Sequence, residues 1–262
     1  MGTWQEKTAE SLRRWDANAD YWDDYLGDDS NRFHREIIVP ETLRLLDPVA
    51  GQRIIDVGCG NGNFSRRLAG FGLRVEAFDF SPRMIARARE RSADTPDNPT
   101  YRVVDATDPQ MLRELGARTF DSAVSNMCLM DMSDLCPLAA ALGSALKTSG
   151  SFVFSVMHPC FQAPGTKKLC EETEDAAGVQ VTRSVAISRY VRSEAFEGVG
   201  IRNQPQASLY FHRPLSVLLT TFLDSGFVLD GLAEPVYPDP PCADRFDWYE
   251  IPPALIVRLR NT

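Results

Sequence analysis

A chain of 262 residues with 44% hydrophobic and 24% charged residues has an ordinary globular composition, sufficient for one large α/β domain with an insertion. Its 28 basic against 36 acidic residues leave a net charge of −8, which argues against a nucleic-acid backbone or an anionic membrane as partner. No apolar run approaches a membrane span, and the segment from Met1 to Glu6 does not read as a secretory leader, so a cytoplasmic location is expected. Cysteines at 59, 128, 136, 160, 170 and 242 form no C-x-x-C pair and read as reduced packing thiols. No cluster has metal-ligand spacing, so no metal is expected.

Thr3-Trp4-Gln5-Glu6 fits a capping box and predicts a helix from that point. Trp15, Ala19, Trp22 and Leu26 continue it as an apolar stripe, and Gly27 can stop it. Residues 28–35 read as a polar loop with a cationic centre, and Pro40 to Leu46 as a short helix. Arg53 to Val57 is a short, β-branched run typical of a strand buried on both faces. Gly58, Gly60 and Gly62 then allow a tight turn, and Phe64, Leu68 and Phe71 recur at helical spacing.

A second strand, Arg74 to Phe80, carries Asp79 near its end. Ser81 then offers an N-cap and Pro82 a first helical residue, with Met84, Ile85 and Ala88 on the inner face. Asp94 to Thr100 reads as a turn. The third strand, Tyr101 to Val104, is followed by Asp105-Ala106, and the fourth, Phe120 to Met127, carries Ser125-Asn126. Leu135, Leu138, Leu142 and Leu146 predict a helix stopping near Gly150, and Phe152 to Met157 a fifth strand ending at His158.

Residues 159–212 interrupt the alternation. They hold an acidic run, 171–175, that reads as a turn, and extended material around Val179, Val181, Val185 and Ile187. Leu215, Leu218, Leu219 and Phe222 form a last helix ending near Gly226. Phe227 to Leu232 and Ala254 to Leu259 are the last strands, joined by a segment containing Pro235, Pro238, Pro240 and Pro241.

The glycine turn by itself fits a dinucleotide site. The dinucleotide fingerprint, however, places two residues before its third glycine, and here only Asn61 separates Gly60 from Gly62. Asp56, two residues before the first glycine, would oppose a pyrophosphate at a helix N-terminus. It suits a ligand bearing an ammonium and a sulfonium, which is S-adenosylmethionine. Asp56-Val57-Gly58-Cys59-Gly60-Asn61-Gly62 resembles the first motif of class I S-adenosylmethionine-dependent methyltransferases, and Asp79 and Asp105 extend the likeness at the next two strand ends.

The resemblance implies an α/β fold with a Rossmann-like, seven-stranded, mostly parallel sheet whose last strand is antiparallel. It implies that Asp79 takes both ribose hydroxyls, that Asp105, followed by Ala106, takes the adenine amine, and that Phe80 and Met84 flank the adenine. The Gly58–Gly62 backbone would take the methionine part, with Asp56 and Asn126 as further cofactor contacts, and by side-chain type His34 or Arg35 would pair the cofactor carboxylate. Trp15-Asp16…Ala19…Trp22-Asp23 resembles the aromatic-acid pattern preceding this motif in many small-molecule methyltransferases, where it folds over the cofactor. Residues 1–50 are then a helical lid, 51–158 and 213–262 the cofactor domain, and 159–212 a substrate cap.

The expected acceptor is a small aromatic specialised metabolite, methylated on carbon, nitrogen or oxygen. Trp22, Phe161, Tyr190 and Tyr210 are the candidates to touch it, within a wider set including Tyr25, Phe196 and Trp248. His158 is the first choice of general base because it ends the fifth strand, His212 the second, and Tyr25 the third, as a lid hydroxyl. A peptide or protein methyltransferase, or a non-catalytic protein using the same fold to bind a partner, remains open, as does the oligomeric state. Pro159-Cys160 matches the nucleophile dipeptide of pyrimidine-carbon methyltransferases, but there is no basic stripe, and the fourth strand lacks an Asn-Pro-Pro-aromatic run, ending instead Asn126-Met127-Cys128-Leu129.

Overall fold

The computed structural model describes residues 3–95, 99–176, 178–238 and 248–262. Pro240, Pro241, Cys242 and the centre of the turn expected at 94–100 lie outside them. Helix α1 (Trp4–Leu26) starts on the capping box, with both reciprocal bonds between Thr3 and Glu6 present, and stops at Gly27 with φ 53°. The polar loop expected to run to residue 35 ends earlier. A π-helical turn (His34–Ile38) feeds directly into α2 (Val39–Leu46). Ile37 and Ile38 are fully buried, and that burial draws the preceding residues into the helix.

The chain then alternates β1 (Arg53–Val57), α3 (Asn63–Gly70), β2 (Arg74–Asp79), α4 (Pro82–Ser92), β3 (Thr100–Val103), a short α5 (Pro109–Leu112), β4 (Phe120–Asn126), α6 (Cys136–Ala145) and β5 (Leu146–Met157). Leu146 is thus the first residue of a strand and not the last of a helix. Its helical spacing from Leu142 is coincidental, because the strand it opens is buried too. Two hairpins follow, β6 (Lys167–Asp175) with β7 (Gly178–Ala186) and β8 (Glu194–Gly198) with β9 (Ser208–His212). The chain closes with α7 (Leu215–Leu223), β10 (Phe227–Ala233) and β11 (Ala254–Asn261). The acidic run expected as a turn is the distal half of β6, pairing Glu171 with Thr182 and Glu174 with Val179. A hairpin solvated on both faces needs no apolar side, so its composition hid it.

The sheet has the order β10-β11-β5-β4-β1-β2-β3. β5, β4, β1, β2 and β3 are mutually parallel, and β11 is antiparallel to both its neighbours. Both faces are covered. On one, Phe152 and Phe154 of β5 meet Phe222 of α7 at ring separations of 5.4 and 5.6 Å, beside Leu138 and Leu142 of α6. On the other, Ile54, Val75, Val153 and Ile256 pack under Leu45 of α2, Leu68 of α3 and Ile85 of α4. The order reverses between β1 and β4, which opens a crevice at the strand carboxyl ends.

The boundary expected at residue 50 does not separate two layers: α2 belongs to the body, and α1 alone lies across the crevice. Asp20 of α1 pairs with Arg83 and Arg87 of α4 at 2.6 and 2.9 Å. Buried Asp23 pairs with Arg91 and accepts the Asn61 amide at 2.9 Å. On its other side α1 reaches the stretch before β9: Asn18 makes two 2.9 Å bonds to the Gln206 backbone, and the Tyr21 hydroxyl donates to the Arg202 carbonyl at 2.7 Å.

Candidate active site

The glycine turn is held by its neighbours. The N–H groups of Gly58 and Cys59 both donate to the Phe78 carbonyl, at 2.8 and 3.0 Å, which ties the turn to β2. Gly58 has φ 70°, and a Cβ there would lie 2.0 Å from the Cys128 Sγ. Gly60, at φ 54°, faces open space. At the β2 end, Asp79 accepts the Gly60 N–H on Oδ2 at 3.0 Å and the Ser81 N–H on Oδ1 at 2.9 Å. One carboxylate thereby joins the glycine turn to the start of α4, where Ser81 caps the Met84 N–H.

Below α1 this turn opens on a cavity of about 480 Å³. Asp56, Gly58, Gly60, Asp79, Phe80, Met84 and Asn126 line one end. A smaller cavity of about 30 Å³, bordered by Asp79, Phe80, Asp105, Ala106 and Thr107, adjoins it. Asp105 accepts the Thr107 N–H and hydroxyl, both at 2.8 Å. These placements suit the expected cofactor. The carboxylates would face a cationic ligand, the open side of Gly60 would admit it, and Asn126 would offer it an unsatisfied donor. The Asn126 Oδ1 is held by the Thr42 and Ser155 hydroxyls at 3.0 and 3.1 Å, while its Nδ2 is buried without a partner.

The rest of the cavity is aromatic and sulfur-rich, with Trp22, Phe33, Tyr210, Tyr237 and Trp248 around Met127, Met130 and Met157. Of the residues expected to touch substrate, Trp22 and Tyr210 line it and Phe161 and Tyr190 do not. Phe161 lies against His158, ring centres 4.5 Å apart and tilted by 42°, and the Tyr190 hydroxyl accepts the Leu215 N–H at 3.0 Å. Tyr25 lies at the mouth, 52% exposed. His34 lines the cavity, but burial pushes it down to about 4, so it is neutral and carries no charge for a carboxylate. Arg35 points outward, its guanidinium on the Ser30 carbonyl.

Both leading base candidates are corrected. His158 is 1% exposed and stands outside the cavity lining. Its Nδ1 accepts the Cys160 N–H at 3.2 Å, so its Nε2–H donates to Glu234 at 2.7 Å, and burial holds it below its ordinary range. Both ring nitrogens are used, Nδ1 within its own turn and Nε2 in joining β5 to the segment after β10. His212 donates Nε2–H to the Tyr190 carbonyl at 2.7 Å and borders a separate small cavity. Strand position alone cannot show where a ring turns. His158→Asn is therefore expected to cost about 0.5–1.5 kcal/mol of stability through the lost bond to half-exposed Glu234, leaving cofactor affinity and the pH profile of turnover unchanged. Thermal melting and a pH–rate profile check this, and a lost imidazole limb in the profile would contradict it.

Sequence reasoning missed Asp131, which lines both cavities and accepts the Trp15 indole N–H at 3.2 Å. The available signal was a lone acid within Met127-Cys128-Leu129-Met130-Asp131-Met132. Burial raises Asp56 to about 7 and Asp79 to about 6, and holds Asp131 well above the carboxylate range. A cationic ligand beside such groups favours their ionised form and expels their protons. Below about pH 6 Asp56 and Asp79 hold those protons in the free protein, and above about pH 8 both have lost them. S-adenosylmethionine affinity is thus expected to rise from about pH 6 to 8 and then level off as far as these two acids govern it. His34 is neutral throughout that window. Calorimetry in two buffers of different ionisation heat reads the released protons, and a flat affinity without release would overturn the expectation.

A family profile described as a methyltransferase domain matches residues 30–197, more than half of the chain. The chain belongs to that family and is a class I S-adenosylmethionine-dependent methyltransferase. S-adenosylmethionine is its cofactor. It is 33% identical over 113 residues to a ubiquinone biosynthesis O-methyltransferase of Xanthomonas axonopodis pv. citri, 43% of this chain and 46% of that protein; the match spans about half the length of that curated relative. An S-adenosylmethionine-dependent methyltransferase from Mesorhizobium loti superposes with TM-score 0.63 at 29% identity, covering 84% of this chain and 96% of the other. One from Listeria monocytogenes superposes with TM-score 0.66 at 23% identity, covering 85% and 97%, and shares the fold. No helix among the described residues is long and apolar enough to cross a membrane. No group of His, Cys, Asp or Glu among the described residues is arranged to hold a metal.

Proposed function

We propose that this methyltransferase acts on a small organic acceptor with an aromatic part, a specialised metabolite, bound between α1 and the 159–212 insertion. The observation that carries this reading is one cavity of about 480 Å³ joining the glycine turn and its carboxylates to a wall of aromatic rings. That volume lies in the range of small-ligand sites, and α1 lies over it. The likeness to an O-methyltransferase of ubiquinone biosynthesis supports a small acceptor. In this reading Asp79 holds the ribose, Asp105 and Ala106 the adenine between Phe80 and Met84, and the turn from Asp56 to Gly62 with Asn126 the methionine part. A cytoplasmic setting agrees with the free thiols of Cys59, Cys128, Cys136, Cys160 and Cys170.

The bound cofactor supplies an electrophilic methyl on sulfonium for in-line displacement. The protein's own contribution is placement, for which effective molarities reach about 10⁵–10⁸ M. Trp22 and Tyr210 fix the plane of the acceptor, α1 excludes water, and Tyr25 at the mouth orients an acceptor hydroxyl or amine.

The test is calorimetric binding of S-adenosylhomocysteine, followed by transfer from methyl-labelled cofactor to a panel of phenols, anilines and arylalkylamines beside an unstructured peptide. Label in a small aromatic is expected. Label in the peptide alone, or no homocysteine-product binding, would overturn the proposal.

A further inference from the structure

Asp131 has no part in the cofactor contacts assigned above. It ends a single helical turn (Leu129–Asp131) after β4 and is 6% exposed. Its Oδ1 accepts the Trp15 indole N–H, and no other side-chain donor among the described residues bonds its carboxylate. A buried carboxylate with one hydrogen bond is incomplete, because two oxygens offer about four acceptor positions, and leaving a charge so placed without a partner is costly.

Aromatic rings share its cavity wall. Trp15 and Trp22 lie 5.0 Å apart, tilted by 54°. Trp22 and the Tyr210 hydroxyl converge on Gly200, where a Cβ would lie 2.8 Å from each. Tyr210 is itself buried, and Asp131 is close enough to help raise its phenol. All four side chains border the large cavity. Ring faces and a carboxylate share one preference, for a positive charge. The basic groups of the cavity stand on other elements: Arg32 is paired with Glu36 at 2.8 Å, and Lys168 sits over the Trp248 ring at 4.5 Å.

We propose that Asp131, boxed by Trp15, Trp22 and Tyr210, binds a positively charged nitrogen on the acceptor, so that the substrate class is an arylalkylamine methylated on nitrogen. The inference rests on the functional reading above and names the substrate class of the same site. An ammonium must lose a proton before its lone pair can take the methyl carbon. The Asp131 carboxylate receives that proton, and the electrons of the broken carbon–sulfur bond stay on sulfur. Burial raises the Asp131 carboxyl, which brings that proton transfer within reach once the ammonium is bound. The product leaves as a methylated ammonium, and Asp131 returns its proton to water.

The experiment titrates protein saturated with S-adenosylhomocysteine, using phenethylammonium, 2-phenylethanol and 3-phenylpropionate as probes. The ammonium is expected to bind at least tenfold more tightly than the alcohol, and the carboxylate least of all. Asp131→Asn is expected to erase that preference while changing homocysteine-product affinity less than twofold. Trp22→Leu provides a second reading should Asp131→Asn fail to fold, and is expected to weaken the ammonium more than the alcohol. Equal binding of ammonium and alcohol, or an Asp131→Asn loss shared equally by the cofactor product, would overturn the assignment. Absence of product binding in the unaltered protein would instead remove the functional reading and this inference with it.

Discussion

Asp79→Asn is expected to weaken S-adenosylhomocysteine binding about a hundredfold while the sheet stays folded. Two of the roughly four acceptor positions on this carboxylate are taken by the Gly60 and Ser81 N–H groups. The acceptor capacity left over would suit the hydroxyls of a ribose. An amide keeps one oxygen and turns the other position into a donor, which would then face a backbone N–H. A hydrogen bond to a charged group is worth about 1.5–3 kcal/mol, so losing two exceeds about 3 kcal/mol, or two decades at about 1.4 kcal/mol each. Calorimetry measures this. An unchanged affinity, or tight binding of a nicotinamide dinucleotide, would falsify the role given to Asp79. Thermal melting is expected to fall by only a few degrees, because the strands on either side keep their packing.

Deleting residues 1–27 is expected to lower turnover at least about a thousandfold, since positioning is the main source of rate, and to harm stability far less. The truncation removes Trp15, Trp22, Tyr25 and Leu26 from the cavity wall. It leaves the two core layers on the sheet untouched, since neither includes a residue of α1. What holds α1 down is largely polar: the Asp20 pairs with Arg83 and Arg87 are half exposed, while Ser11, Asn18 and Asp23 are buried. Exposed pairs contribute little and weaken with salt. Such an element opens more readily than the sheet beneath it. Amide exchange in α1 is therefore expected to be faster without cofactor, and faster again in high salt. Equal protection with and without cofactor, or full activity of the truncated chain, would end the lid assignment.

The sequence by itself determined the alternation of strands and helices, the glycine turn, the acids near three strand ends and the capped first helix. Each is written within a few neighbouring residues: a β-branched run buried on both faces, a glycine where φ is positive, a Thr and a Glu three apart. It also carried the family, because that motif is local. What it leaves undirected is where side chains turn. Position along the chain singles out His158 and His212, whereas each ring turns to a partner supplied by a distant segment, Glu234 for one and the Tyr190 carbonyl for the other. Phe161 and Tyr190 were grouped with Trp22 and Tyr210 by residue type, yet only the latter pair reaches the cavity. An acid in an apolar stretch, as Asp131 is, has no local signature, and only the packing of α1 brings Trp15 to its carboxylate. The direction of a side chain depends on how elements far apart in the chain cross, and that crossing was decided by the tertiary structure alone.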